Sequence, residues 1–255
     1  TISVSLIIQL IYWQYSYRKF KETHFKWIWD KYIWKDMSSF ASWNITGDLA
    51  YMCNTQGINI LLNLFFGPVV NAARGVAVQV ESVMIQFIGN FQTAISPQIT
   101  KSYAAGNIEQ TRHLTLKASK FCFFLMMIIA IPAFLEIEYV LKLWLQKIPT
   151  YTVIFAKLTI IMIIFDCLSR PLHLAIFATG TVKKYQIIQS SIYLLILPIS
   201  YILLKNLHVT PNVIIGVLAL FKFIVLTVRI KLTSTLIAIP INKYITNVLV
   251  PSVQC

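Results

Sequence analysis

Between residues 37 and 230 the sequence is a succession of long oily runs separated by short basic or Gly- and Pro-containing turns, at about 37–65, 70–95, 114–135, 151–178, 185–204 and 213–230. A helix that crosses the roughly 30 Å hydrocarbon core of a bilayer needs about 20 largely apolar residues. Only helices and closed barrels satisfy their backbone hydrogen bonds there. Six such runs predict an all-α fold, a polytopic transmembrane helical bundle. Composition points the same way: of 255 residues 57% are apolar and 12% charged, with a mean hydropathy of +0.70. Those values exclude disordered, coiled-coil, collagen-like and disulfide-stapled chains.

The runs divide the chain into residues 1–36, 37–230 and 231–255. The opening TISVSLIIQLIYWQY spans roughly 22 Å as a helix, too short to cross alone, and reads as the end of a preceding transmembrane helix. Because the chain starts at Thr1, inside an apolar run with no signal-peptide cleavage pattern, the expectation is an internal fragment. Residues 16–36 then carry Arg18, Lys19, Lys21, Lys26, Lys31 and Lys35, interleaved with Trp27, Trp29 and Trp34. Cations and indoles in alternation suit a membrane headgroup zone. Residues 37–230 form the six-helix lobe. Residues 231–255 read as a cytoplasmic interfacial segment leading toward further helices.

The net charge of +13, from 22 Lys and Arg against 9 Asp and Glu, raises nucleic-acid binding as a first possibility. Its distribution answers that. With the 16–36 loop cytoplasmic, that side holds fourteen basic residues, including Lys101, Arg112, Lys117, Lys120, Lys183, Lys184, Arg229 and Lys231, and the other side holds Lys142, Lys147 and Lys205. The positive-inside rule then places loops 16–36, 97–113 and 179–184 in the cytoplasm. The charge is topology, and nucleic acid drops out. On the opposite side residues 136–149 (EIEYVLKLWLQKIP) read as a short amphipathic surface helix anchored by Trp144. Cys53, Cys122, Cys167 and Cys255 show no metal-ligand or disulfide spacing and read as free buried thiols. No Walker loop, HExxH or GxSxG motif is present, so no catalytic, metal or cofactor residues are assigned.

Polar residues inside the runs carry the functional information, because a charge in the bilayer costs a few kcal/mol and normally faces protein or water. Asn44, Asp48, Thr55, Asn59 and Asn63 fall within about 100° of one another on the first helix, and Asn71, Gly75, Ser82, Gln86, Gly89 and Thr93 within about 60° on the second. Arg74 and Glu81 flank the second stripe. Two readings stay open: helix–helix glue through amides and small residues, or the wall of a wet cavity. The charges favour the cavity. In the 151–178 run Thr159, Asp166, Arg170 and His173 share a face, and Asp166 and Arg170 are spaced for an ion pair. That pair is either structural or functional, and His173 is either a hydrogen-bonded interior residue or a proton carrier. Lys157 points away and snorkels, whereas Lys222 sits near the middle of its run. Pro132, Pro171 and Pro198 mark bends.

The stretch from Asn54 to Ala77 (NTQGINILLNLFFGPVVNAARGVA) resembles the Wzx-type polysaccharide flippases, of the superfamily that includes the multidrug and toxin extrusion (MATE) transporters. Phe91–Ile99, Lys101–Gly106 and Leu141–Leu145 fit the same pattern. The resemblance implies two six-helix bundles around a central cavity, with this chain a MATE-like second lobe. It also implies an undecaprenyl-pyrophosphate-linked oligosaccharide as substrate, moved across the cytoplasmic (inner) membrane for O-antigen or capsule synthesis. Membrane lipid and polysaccharide polymerase or assembly proteins would be the partners. Arg74 matches the family pattern by position. Arg170 and Lys222, with Asn59, Asn63, Asn71 and Gln86, complete the headgroup- and sugar-binding set by inference from the residues. Asp48, Glu81 and Asp166 are the candidate ion-coupling carboxylates. The competing expectations are a MATE-type drug or cation antiporter, an integral-membrane glycan polymerase or glycosyltransferase, and a structural scaffold.

Overall fold

The computed structural model describes residues 2–20 and 29–249. Lys21, Lys26, Trp27 and Cys255, singled out above, lie outside the described residues. Thr1–Ser39 and Phe40–Cys255 form two compact units.

The first unit contains helix α1 (Ile2–Lys19) and the beginning of α2 (Lys31–Phe66). Its apolar side chains, among them Leu10, Ile11 and Trp13, are exposed. Asp30 starts α2: its carboxylate accepts from the backbone N–H of Tyr32 at 2.8 Å and of Ile33 at 3.3 Å, satisfying donors that a first helical turn leaves open. The Trp29 and Trp34 rings meet at a tilt near this cap, their centres 5.2 Å apart.

The second unit is a bundle of α2, α3 (Pro68–Ala104), α4 (Ile108–Trp144), α5 (Thr152–Ala178), α6 (Lys183–Leu207) and α7 (Pro211–Ile237). A short α8 (Ile241–Tyr244) and a π-helical turn (Ile245–Leu249) follow. Among the described residues there is no strand. The chain is an all-α helical membrane bundle. Helices α4 to α7 are each long and apolar enough to cross a membrane. The sequence predicted six such spans, and the difference lies in α2 and α3. They are long enough, at 36 and 37 residues, but their amides and charges lower their hydropathy. Exposed leucines, isoleucines and phenylalanines such as Leu64, Phe87, Ile128, Leu195 and Leu220 cover the outside, a surface that calls for lipid rather than water.

Helix α5 is central and packs against α3, α4 and α7. It is buried along most of its length, with Phe155, Ile160, Ile163 and Leu172 joining three core clusters. Helix α2 lies against α6. Gly47 and Gly57 make that approach close: a Cβ at Gly47 would overlap the side chain of Gln186, and one at Gly57 that of Leu197. Small residues at a membrane helix interface permit such contact.

The turns explain where the helices stop. Gly67, at φ 79°, takes the left-handed conformation that only glycine adopts freely, and Pro68 opens α3. Asn107 caps α4 by accepting from the Gln110 N–H at 3.0 Å. Four helices run further than hydropathy indicated, and α2 already begins at Lys31, inside the expected 16–36 loop. The 97–113 connection shrinks to residues 105–107, and residues 136–144 continue α4 instead of forming a separate surface helix. Pro132 removes one backbone bond without breaking α4, and a Glu138–Lys142 ion pair at 2.7 Å supports its last turns. Similarly α7 passes residue 230 to Ile237. Charged residues end a hydropathy window but not a helix, because Lys and Arg are good helix formers.

Candidate functional site

A cavity of about 450 Å³ opens between α2, α3, α5, α6 and α7, within the size range of small-molecule sites. Residues on one face of α2 reach it (Tyr51, Asn54, Thr55 and Ile58), as do Arg74, Glu81, Ser82 and Gln86 on one face of α3. Those spacings are the i, i+3, i+4 and i+7 repeat of a single helix side. Helix α6 adds Tyr193, and α7 adds Phe221 and Lys222.

Arg74 is the anomaly of this wall. Only 7% of it is exposed, yet its Nε and one terminal guanidinium nitrogen have no hydrogen-bond partner. Glu81, two turns along the same face, lines the cavity without pairing with it; among the described residues no ion pair joins them. A buried cation with unmet donors is costly. The arrangement is one that an anionic or oxygen-rich ligand, or ordered water, would relieve.

Lys222 connects the cavity to a second cluster. Its ammonium lies 3.7 Å from Asp166 Oδ1 and 5.9 Å from the centre of the Tyr51 ring. Asp166 also takes Arg170 at 3.2 Å and Arg229 at 3.6 Å, so one carboxylate faces three cations. The Asp166, Lys222 and Arg229 side chains are 12%, 17% and 7% exposed. Arg229 is almost fully used: it donates to the Tyr185 hydroxyl at 3.0 Å, to Ser169 Oγ at 2.6 Å and to Gln189 Oε1 at 3.3 Å. The Tyr185 hydroxyl in turn meets His173 Nδ1 at 2.8 Å. The hydroxyl bridges Arg229 and the imidazole. His173 is thus a hydrogen-bonded interior residue. Pro171 lies one residue beyond Arg170 inside α5 and deprives the helix of a backbone bond beside the cluster.

The candidate residues therefore separate into groups. Arg74, Glu81, Gln86 and Lys222 come together around the cavity, and Asp166, Arg170 and Lys222 come together in the ionic cluster. Asp48 and Asn63 are exposed on α2, while Asn59 and Asn71 are half-buried and outside the cavity wall. Polar residues of α2 and α3 occur in two settings. Asn44 accepts from Gln186 at 2.9 Å and Asn54 donates to the Tyr193 carbonyl at 3.0 Å, tying α2 to α6. Thr55, Ser82 and Gln86 line the cavity. Cys122 and Cys167 are buried free thiols as expected, whereas Cys53 is exposed.

Sequence reasoning missed Arg229, counting it as a cytoplasmic loop charge. Its seven-residue spacing from Lys222 puts the two on one face of α7, which was the available signal. Tyr51, Tyr185 and Tyr193 carried none: an aromatic in an apolar helix reads as core until its neighbours are known. Comparison with known protein families, with curated proteins and with solved structures finds no match to this chain.

Proposed function

We propose that this chain is the cavity-bearing lobe of a membrane transporter of the flippase type. Its cargo is an undecaprenyl-pyrophosphate-linked oligosaccharide destined for surface polysaccharide. The observation that carries the reading is the buried, incompletely bonded guanidinium of Arg74, which shares a 450 Å³ cavity with Lys222 inside a membrane bundle. Each sugar hydroxyl costs several kcal/mol to strip of water in hydrocarbon, so a polar groove lowers the barrier to crossing. Gln86, Ser82 and Thr55 supply hydrogen bonds to sugar, and Arg74 acts as a fork-shaped donor to phosphate oxygens. A diphosphate arriving at Lys222 competes with Asp166 for it, which couples occupancy to the ionic cluster. Glu81 is the carboxylate placed to carry a coupling ion. Transport proceeds by alternating access in the cytoplasmic membrane, with the 16–36, 97–113 and 179–184 regions cytoplasmic and no covalent chemistry on the substrate. The MATE-like arrangement of two lobes, taken from the resemblance, supplies the opposite wall.

A drug or cation antiporter is the second reading. It rests on Glu81 together with the aromatic wall of Tyr51, Tyr193 and Phe221. The two readings differ in which charge is essential. In a strain lacking its own flippase, the complete gene restores surface glycan under the first reading, and Arg74→Ala abolishes rescue while protein remains in the membrane. Full rescue by Arg74→Ala counts against its role at the headgroup; failure of the complete gene to restore glycan, together with drug efflux that Glu81→Gln abolishes, favours the antiporter.

A further inference from the structure

A second cavity, of about 800 Å³, lies far along the sequence from the residues already discussed, between the N-terminal turns of α4 and the segment after α7. Arg112, His113, Lys117 and Lys120 from α4 and Lys243 from α8 line it, with Glu109 as the opposing carboxylate. Among the described residues no ion pair involves Lys117, Lys120 or Lys243. Topogenic charge explains why cations gather on one side of a membrane; it does not explain why those from two distant segments converge on one concavity.

The concavity is built rather than accidental. Arg112 donates from Nε to the Ile237 carbonyl at 2.6 Å, which satisfies an open acceptor at the end of α7. That bond fixes the guanidinium plane and leaves its terminal edge for another acceptor. Ala238 then turns the chain at φ 53°. Tyr244 is buried, and its hydroxyl donates to the Leu168 carbonyl at 2.9 Å, anchoring α8 to the central helix. Burial pushes this phenol up from its ordinary pKa. One turn deeper the lining changes to Leu116, Phe121 and Phe124. Phe121 is exposed on the outside of the bundle, and Lys120 extends over the Phe124 ring at 5.8 Å. A cationic mouth above an apolar, outward-facing floor matches an amphiphile with an anionic head and a hydrocarbon tail.

We infer that this cavity is a binding site for an anionic phospholipid, its phosphate held by Arg112, Lys117, Lys120 and Lys243 and its acyl chain lying on Phe121 and Phe124. The site does not depend on the transport reading. Each cation near the membrane surface contributes roughly fivefold in affinity, so removing three lysines should cost about a hundredfold.

The test is lipid retention by the full chain, purified in neutral detergent and titrated with phosphatidylglycerol, phosphatidylcholine or inorganic phosphate under native mass spectrometry. Wild type should hold phosphatidylglycerol and release phosphatidylcholine. The triple variant Lys117→Gln/Lys120→Gln/Lys243→Gln should lose phosphatidylglycerol by about a hundredfold, and the triple Arg variant should keep it. Should the Gln variant fail to fold, the three single variants report, each by about fivefold. Lys142→Gln, at the far end of α4 and paired with Glu138, should change nothing. Equal retention of phosphatidylglycerol by wild type and the Gln variants overturns the proposal. So does equally tight binding of inorganic phosphate, which would make the cavity a soluble-anion site.

Discussion

The two charged regions of the bundle are built from similar residues to opposite states of completion. In the α5–α7 cluster every cation has a partner: Asp166 faces Arg170, Lys222 and Arg229, and Arg229 adds bonds to Tyr185, Ser169 and Gln189. On the α3 wall Arg74 is as deeply buried and has open donors. A satisfied network holds helices in one arrangement; a buried cation with open donors calls for a further partner, water or an anion. Lys222 belongs to both, which makes it the residue through which the two can communicate.

The largest effect should come from breaking the satisfied region at its single carboxylate. Asp166→Asn leaves the buried Arg229, the mostly buried Lys222 and the partly exposed Arg170 without their counter-charge, and breaking buried pairs costs about 3–5 kcal/mol. Unfolding in mixed micelles, followed by circular dichroism, should show that loss; an unchanged transition would mean that the cluster is hydrated. Next comes Arg229→Met, which removes one cation and strands the acceptors on Gln189 and Ser169. A loss of about 2–3 kcal/mol is expected. The same substitution at Arg74 should differ in sign. Arg74→Met removes an uncompensated buried charge, so stability should stay level or rise by up to about 2 kcal/mol, while glycan rescue disappears. A destabilised Arg74→Met with transport intact would erase the distinction between the regions.

The helical membrane class could be read directly from the apolar runs, because lipid leaves so few alternatives. The individual placements were legible in proportion to how local their cause is. Asp166 and Arg170 are four residues apart on one helix, and their pairing followed from spacing alone. Arg74 stood out as a charge in an oily stretch. Arg229 did not, since it lies near the end of its run beside Lys231 and looks like a loop cation until α7 is seen to continue to Ile237. The convergence of Arg112, Lys117 and Lys243 was equally hidden. It depends on the turn at Ala238 and on Tyr244 reaching Leu168, contacts between residues far apart in sequence. Periodicity assigns residues to faces; which faces meet is decided by packing.

The finest test of the same comparison lies within α2, at two adjacent residues. Asn54 is buried and its side-chain amide donates to the Tyr193 carbonyl on α6 at 3.0 Å. Thr55 also lines the cavity, and its hydroxyl bonds only locally, to the Tyr51 carbonyl at 3.0 Å. Hydrogen bonds between membrane helices average about 0.6 kcal/mol and reach about 1.7. Asn54→Ala should therefore lower stability by about 1 kcal/mol, because it removes a tie between helices. Thr55→Val keeps the shape and breaks no such tie, so its stability change should stay within about 0.5 kcal/mol. Under the proposed transport role the order should reverse: Thr55→Val takes a hydroxyl from the cavity wall and should slow rescue more than its stability predicts. Equal stability losses at the two positions would mean that the 450 Å³ space closes in the membrane and that the whole stripe is glue.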